Sequence, residues 1–256
     1  MVRGLETFRI FFKDFAGNYV IIGGTACNEL VENNDLKPRA TKDIDAILII
    51  EALSDDFVRR FWEFIREGKY ELWQTASGET QFYRFIKPHI DNFPLQIELF
   101  SRVPDMIQVP EGAHLTPIPV GEELSSFSAI LLNDDYYHYA VSHTVVLNDL
   151  NFVDRDAVIL LKAVAYINNS KRKAEGEQVR SDDITKHKND IFRIVSTFTE
   201  NDRYEIPETL KNDLRTFLEM VKKDGLGTVA LSKELGLGIE ISFEVFANQL
   251  RKTFGL

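Results

Sequence analysis

Arg39-Ala40-Thr41-Lys42-Asp43-Ile44-Asp45 runs without a break into Ala46-Ile47-Leu48-Ile49-Ile50, setting two aspartates at the mouth of an apolar run. The run is short and β-branched, so residues 43 to 50 are expected to form a strand. Side chains alternate faces along a strand, which turns Asp43 and Asp45 to one side and Ile44 to the core. Two like charges on one face are unfavourable unless a cation holds them. A hard divalent ion bound through oxygen resolves the repulsion, and Mg²⁺ typically takes one or two carboxylates together with substrate phosphates. The plainer alternative is a solvated strand end with Lys42 and Arg39 as neighbours.

Two flanking segments extend this reading. Upstream, Tyr19 to Ile22 is a short strand that breaks at Gly23-Gly24, and Thr25 is placed to cap the helix that follows to about Asn33. Glycines let the backbone approach a phosphate, and free N–H groups at a helix start favour an anion. A tight turn would account for the glycine pair equally well. Downstream, Leu95 to Phe100 is a strand whose alternation puts Gln96, Glu98 and Phe100 on one face. Alone, Glu98 is a polar-face residue. Beside an Asp-x-Asp strand it becomes a third carboxylate, able to accept the proton of an attacking hydroxyl or to help hold a metal.

Helical spacing is expected over residues 4 to 16 and 55 to 67, and a loop with Pro38 over residues 34 to 42. Residues 69–74 and 80–87 read as a hairpin joined at Ser77-Gly78. Residues 102 to 123 hold four of the eight prolines and read as an extended connection. Short strands are expected from 127 to 147, with Asn133 to Tyr137 as a turn between them. From Asp154 the pattern becomes helical: about 154–173, 183–198, 207–222 and 241–253. The expected organisation is therefore α+β over residues 1–150, followed by a helical domain over 151–256.

The bulk numbers exclude several classes. Of 256 residues, 44% are apolar and 27% charged, which is ordinary for a globular chain. The net charge of −10 argues against nonspecific binding of nucleic acid by the whole surface. It leaves room for a local basic groove between Lys162 and Arg193. The single cysteine, Cys27, excludes an intramolecular disulfide and a Cys-rich zinc site and is expected to be a small, partly buried thiol on a helix. No signal peptide or membrane-spanning run is read, and the cytoplasm is the expected compartment. His89, His114, His138, His143 and His187 show no metal-ligand spacing, and Ser125, Ser126 and Ser128 lack a nucleophile elbow.

The ordered set Gly-Gly-Thr-Ala, then Arg-x-Thr-x-Asp-x-Asp, then an acid on a later strand resembles the nucleotidyltransferase superfamily with a polymerase-β-like palm. Within it, the chain looks most like the AbiEii-type nucleotidyltransferases, toxin components of abortive-infection and toxin–antitoxin systems. The resemblance covers residues 19 to 50 and Glu98. It implies a palm of mixed sheet flanked by helices and a site with catalytic, metal-binding Asp43, Asp45 and Glu98. Gly23, Gly24, Thr25, Arg39 and Thr41 would bind nucleotide phosphates. Leu160-Leu161-Lys162-Ala163 and Lys186-His187-Lys188-Asn189-Asp190 are similar to the family's downstream motifs. Lys162 would neutralise triphosphate charge, while Lys186 and Asp190 would position nucleotide or acceptor. Lys162 also fits a snorkelling role on an amphipathic helix. The insert Arg180 to Asp183 and the single aspartate of the second motif depart from the family pattern.

The implied reaction is Mg²⁺-dependent transfer of an NMP from an NTP to an acceptor hydroxyl, with Mn²⁺ as an alternative ion. The acceptor classes are a nucleic acid such as a tRNA 3′ end or another RNA, and a protein or small molecule. An antitoxin protein is a further implied partner, and no membrane is involved. The competing expectation is a non-catalytic module that keeps the palm as a nucleotide sensor or partner surface.

Overall fold

The computed structural model describes residues 2–74, 80–105, 115–118 and 127–256. The Ser77-Gly78 turn, His114, Ser125, Ser126 and much of the proline-rich connection lie outside them. The chain divides into two compact units, Met1–Ala26 with Ala40–Val153, and Cys27–Arg39 with Asp154–Leu256. The first is a mixed sheet with helices and the second is helical, the α+β class expected.

The first unit holds α1 (Leu5–Phe12), β1 (Tyr19–Ile22), the first turn of α2 (Gly23–Glu32), β2 (Asp43–Leu48), α3 (Asp55–Gly68), β3 (Glu71–Gln74), β4 (Thr80–Ile86) and β5 (Gln96–Ser101). It continues through β6 (Leu115–Ile118), β7 (Phe127–Leu131), α4 (Asp134–Ser142), β8 (Thr144–Leu147) and β9 (Leu150–Val153). Among the described residues the strands form one sheet in the order β3-β4-β5-β2-β1-β9-β8, with β7 on the far half of β5 and β6 on β7. β1 is antiparallel to β2 and parallel to β9, while β2 is parallel to β5. Strand β1 lies inside the sheet, and all four of its residues are buried.

An aromatic layer covers the sheet. Helix α3 turns Phe57, Phe61 and Phe64 inward at helical spacing, against Phe8 and Phe12 of α1 and Tyr19 of β1. The rings of Phe12 and Phe64 sit 5.2 Å apart, and the full burial of each Phe contributes on the order of 2 kcal/mol. Ser54 caps α3 by accepting the Phe57 N–H, and Lys69 ends it in the left-handed conformation.

Residues 133 to 137 are not a turn between strands. Asn133 accepts the N–H of Asp135 and opens α4, whose Tyr136, Tyr137, Tyr139 and Ala140 are buried. An Asn cap followed by two acids was the local signal for that helix start. Asn148 and Asp149, both at positive φ, make the two-residue turn joining β8 to β9.

The second unit holds the rest of α2, then α5 (Arg155–Ala174), α6 (Ser181–Val195), α7 (Glu208–Asp224), α8 (Thr228–Leu235) and α9 (Phe243–Phe254). Asp154 caps α5, and α5 packs on α6 and α7. Tyr166 meets Phe217 edge-on at 5.4 Å, and Phe192 meets Phe246 at 5.7 Å. Helix α8 carried no helical expectation from the sequence. Among the described residues, no helix is long and apolar enough to cross a membrane.

Candidate active site

In the first unit the site begins where β1 ends. The antiparallel register sets Ile22 opposite Asp45, and Gly23 follows at φ +72. A β-carbon built on Gly23 would collide with Oδ2 of Asp45. The glycine is thus demanded twice, by its left-handed backbone and by the carboxylate lying against its Cα. We expect Gly23→Ala to cost about 1–2 kcal/mol through its dihedral alone, and to displace the Asp45 carboxylate besides. Chemical denaturation should register the first effect. An alanine variant of unchanged stability would contradict this assignment.

Thr25 does not cap α2, which already begins at Gly23. It is fully buried, and its hydroxyl donates to the carbonyl of Asp43 at 2.6 Å. That bond ties the start of α2 to the start of β2, and it occupies the hydroxyl expected to meet a phosphate. Gly24 and Thr41 are half-buried.

The carboxylates form a row across adjacent strands. β2 and β5 run parallel with Asp43 opposite Gln96 and Asp45 opposite Glu98. On the other side of β5, antiparallel β4 sets Arg84 opposite Glu98, and the two side chains form an ion pair. Like charges directly opposite one another are destabilising, and the Arg84 guanidinium offsets the Asp45–Glu98 juxtaposition. Asp43 is exposed, Asp45 half-buried, and the Glu98 side chain only 14% exposed. Among the described residues, no three His, Cys, Asp or Glu side chains are grouped to hold a metal. Two aspartates on one strand face nevertheless fit a hard cation whose remaining ligands are substrate phosphates and water.

Arg39, Lys162 and Asp190 come together in the second unit, with Lys162 and Asp190 buried and Arg39 half-buried. Asp190 is fully buried and accepts from Arg39 Nε at 2.7 Å, Arg39 Nη2 at 2.9 Å, Lys162 Nζ at 2.9 Å and Arg193 Nη1 at 3.3 Å. Burial alone would raise its pKa, but Lys162 and Arg39 hold the carboxyl well below the usual carboxylate range. Arg193 also pairs with Glu234 at 2.8 Å. Lys162 is therefore neither snorkelling nor reaching solvent: its ammonium is buried on Asp190. Asp190 thus holds three of the chain's own cations. Lys186 stays at the surface and pairs with Asp183 at 3.1 Å.

Two neighbours share that environment. Cys27 is fully buried and not partly so; burial pushes its thiol up to about 12. The imidazole of His187 sits 3.3 Å from the Asn169 amide nitrogen, and its Nδ1 has no partner among the described residues. Burial first, then Lys162, Lys186 and Arg39, lower its pKa from 6.5 to about 3. Below its ordinary pKa the unfolded chain binds a proton there that the folded chain refuses. Stability from this group is therefore complete above about pH 6.5 and is lost as pH falls toward 3. The expected slope is up to about 1.4 kcal/mol per pH unit, and His187→Gln should remove it from urea denaturation series across that window. An unchanged slope in the variant would refute the assignment.

Among the described residues, the remaining histidines do not converge on the carboxylates. His138 bonds the carbonyl of Asp134, His143 stacks on Tyr139 at 3.9 Å, and His89 meets Glu71. The residue that sequence reading missed is Arg84. A lone arginine in Tyr83-Arg84-Phe85 carries no local signal, and only the strand register brings it to Glu98.

No protein-family model matches the sequence, and no curated protein matches it. Among solved structures, the chain is similar to a nucleotidyltransferase-like antigenic protein from Paracoccidioides brasiliensis, at 15% identity and a TM-score of 0.42, covering 91% of this chain and 95% of that one. It is also similar to the Megavirus polyadenylate synthase, at 12% identity and a TM-score of 0.37, covering 86% of this chain. There the chain spans 36% of the viral protein's length.

Proposed function

We propose that this chain is a metal-dependent nucleotidyltransferase that moves an NMP from an NTP to an acceptor hydroxyl. The observation that carries the reading is the cross-strand row in the first unit: Asp45 packed on the Cα of Gly23, with Glu98 opposite it on the neighbouring strand. Asp43 and Asp45 would hold Mg²⁺, or Mn²⁺ in its place. That ion would supply charge neutralisation to the triphosphate and to the leaving pyrophosphate. The backbone N–H groups at the start of α2 receive phosphate oxygens beside Gly23 and Gly24. Glu98 accepts the proton of the attacking hydroxyl. Such a reaction asks the protein mainly to position groups and stabilise charge.

The acceptor we favour is an RNA end such as a tRNA 3′ terminus. Lys171, Arg172 and Lys173 are exposed at the C-terminal end of α5, a local cationic feature on an otherwise acidic chain. A toxin role in the cytoplasm, restrained by an antitoxin protein, follows from the family resemblance and belongs to the same proposal. The test is incubation with each α-labelled NTP, Mg²⁺, total RNA and total protein. Label entering RNA in a salt-sensitive manner is the expected result, because phosphate contacts release counterions. Label in protein instead would reassign the acceptor, and label in no fraction would overturn the activity.

A further inference from the structure

We propose that strand β8 is a self-association edge, pairing antiparallel with β8 of a second copy of this chain about a twofold axis through Val145. The inference concerns the rim of the sheet and is independent of the reaction proposed above. A strand at a rim leaves N–H and C=O groups open to another chain, and natural edges are blunted by bulges, charges or proline. Two of the three rims among the described strands carry such guards. β3 is interrupted by a register shift between Leu72 and Trp73, and its Glu71 pairs with Lys87 at 3.0 Å. β6 contains Pro117. β8 reads Thr144-Val145-Val146-Leu147, with no charge, no proline and an unbroken register to β9.

The hairpin turn fixes which backbone groups of β8 face outward. A two-residue turn closes on a hydrogen-bonded pair, here Leu147 and Leu150. Bonded and non-bonded pairs then alternate along an antiparallel ladder. Val145 therefore bonds Phe152, while Thr144 and Val146 stand opposite Val153 and Asn151 without bonding their backbones. The N–H and C=O of Thr144 and Val146 point away from β9, and no group among the described residues takes them. Both side chains are exposed, Val146 by 65%.

The occupant follows from this phase. With the axis on Val145, Thr144 of one copy faces Val146 of the other, and both present outward groups. Each such pair exchanges two hydrogen bonds, so the strand is complementary to itself with no slip in register. The facing side chains are β-branched, which suits a cross-strand pair, and no charge on β8 meets its own image. The net charge of −10 opposes association of two copies at longer range, so added salt should strengthen the contact.

The test joins sedimentation velocity of the full chain, over about a hundredfold range of concentration up to roughly 0.5 mM, to hydrogen exchange of its assigned amides. The weight-average mass should rise from that of one chain toward that of two, and rise further in NaCl. At the highest concentration the amides of Thr144 and Val146 should exchange at least about tenfold more slowly, while those of Val145 and Leu147, already bonded to β9, should not change. Val146→Pro removes an outward N–H and no bond to β9, and should keep the chain monomeric. Val146→Thr keeps that N–H and should associate like wild type.

A monomer at every concentration would overturn the proposal. So would a dimer whose exchange shows no alternation over residues 144 to 147, because the contact would then lie elsewhere. Association that survives Val146→Pro, or that weakens as NaCl is added, would overturn it equally. Loss of association in Val146→Thr would trace the contact to the side chain and reject backbone pairing. The exchange pattern is read on the unsubstituted chain, so it decides the matter even where Val146→Pro fails to fold.

Discussion

Asp43→Asn together with Asp45→Asn is expected to lower kcat for NMP transfer by at least about 10³-fold, or roughly 4 kcal/mol of transition-state stabilisation. Asparagine keeps the shape of each side chain and removes the charge. The two residues occupy one face of β2, two positions apart, at the strand end that faces solvent. Under the proposed reading, losing both charges would remove the site's affinity for a divalent cation, and with it the neutralisation of the triphosphate. Because Asp43 is exposed and Asp45 half-buried, unfolding free energy should change by no more than about 1 kcal/mol. Transfer assays and denaturation run on the same preparation separate the two effects. Activity that survives the double substitution would remove the aspartates from the chemistry, and a matching collapse of stability would recast them as structural.

The second large effect lies in the other unit and has the opposite signature. Asp190→Ala should lower stability by about 3–5 kcal/mol, the cost of leaving buried cations without their anion. Arg39, Lys162 and Arg193 all donate to this one carboxylate. Arg193 would keep a second carboxylate partner in Glu234. For a chain of this size the loss corresponds to a drop in Tm of about 6–20 °C. Asp190→Asn should cost less, since an amide oxygen still accepts a hydrogen bond. If Asp190 served the nucleotide instead, its removal would raise KM for NTP and leave the melting curve in place. The cluster also makes stability fall with acid: the folded-state pKa of Asp190 lies below the usual range, so its contribution is present above that range and lost as pH falls through it.

Much of the first unit was legible because its signals are local. Ile44 is buried between an exposed Asp43 and a half-buried Asp45, as a period of two requires, and β5 alternates between half-buried and buried along its whole length. The spacing of Phe57, Phe61 and Phe64 marked one face of α3, which the rings of α1 and β1 fill. The errors were also local. Thr25 has the chemistry of a helix cap, yet the positive φ that Gly23 can adopt starts the helix two residues earlier. That leaves the threonine hydroxyl for the Asp43 carbonyl. Residues 133 to 137 read as a turn between strands, although an Asn cap and two acids open a helix there.

By itself, the sequence determined the aspartate pair on one strand face, the break at Gly23-Gly24 between a strand and a helix, and a helical C-terminal region. Each follows from steric and hydrophobic rules that act over a few residues. Tertiary structure alone decided which charges meet. Arg84 reaches Glu98 through strand register, and Arg39 reaches Asp190 across 151 positions of sequence. Ion pairing between distant segments has no periodicity to read, because it is set by how the chain returns on itself. The Asp-Ile-Asp strand therefore announced where chemistry would be sought, and the fold of each unit assigned its own cations: one arginine on the third acid in the first, and three cations on a buried aspartate in the second.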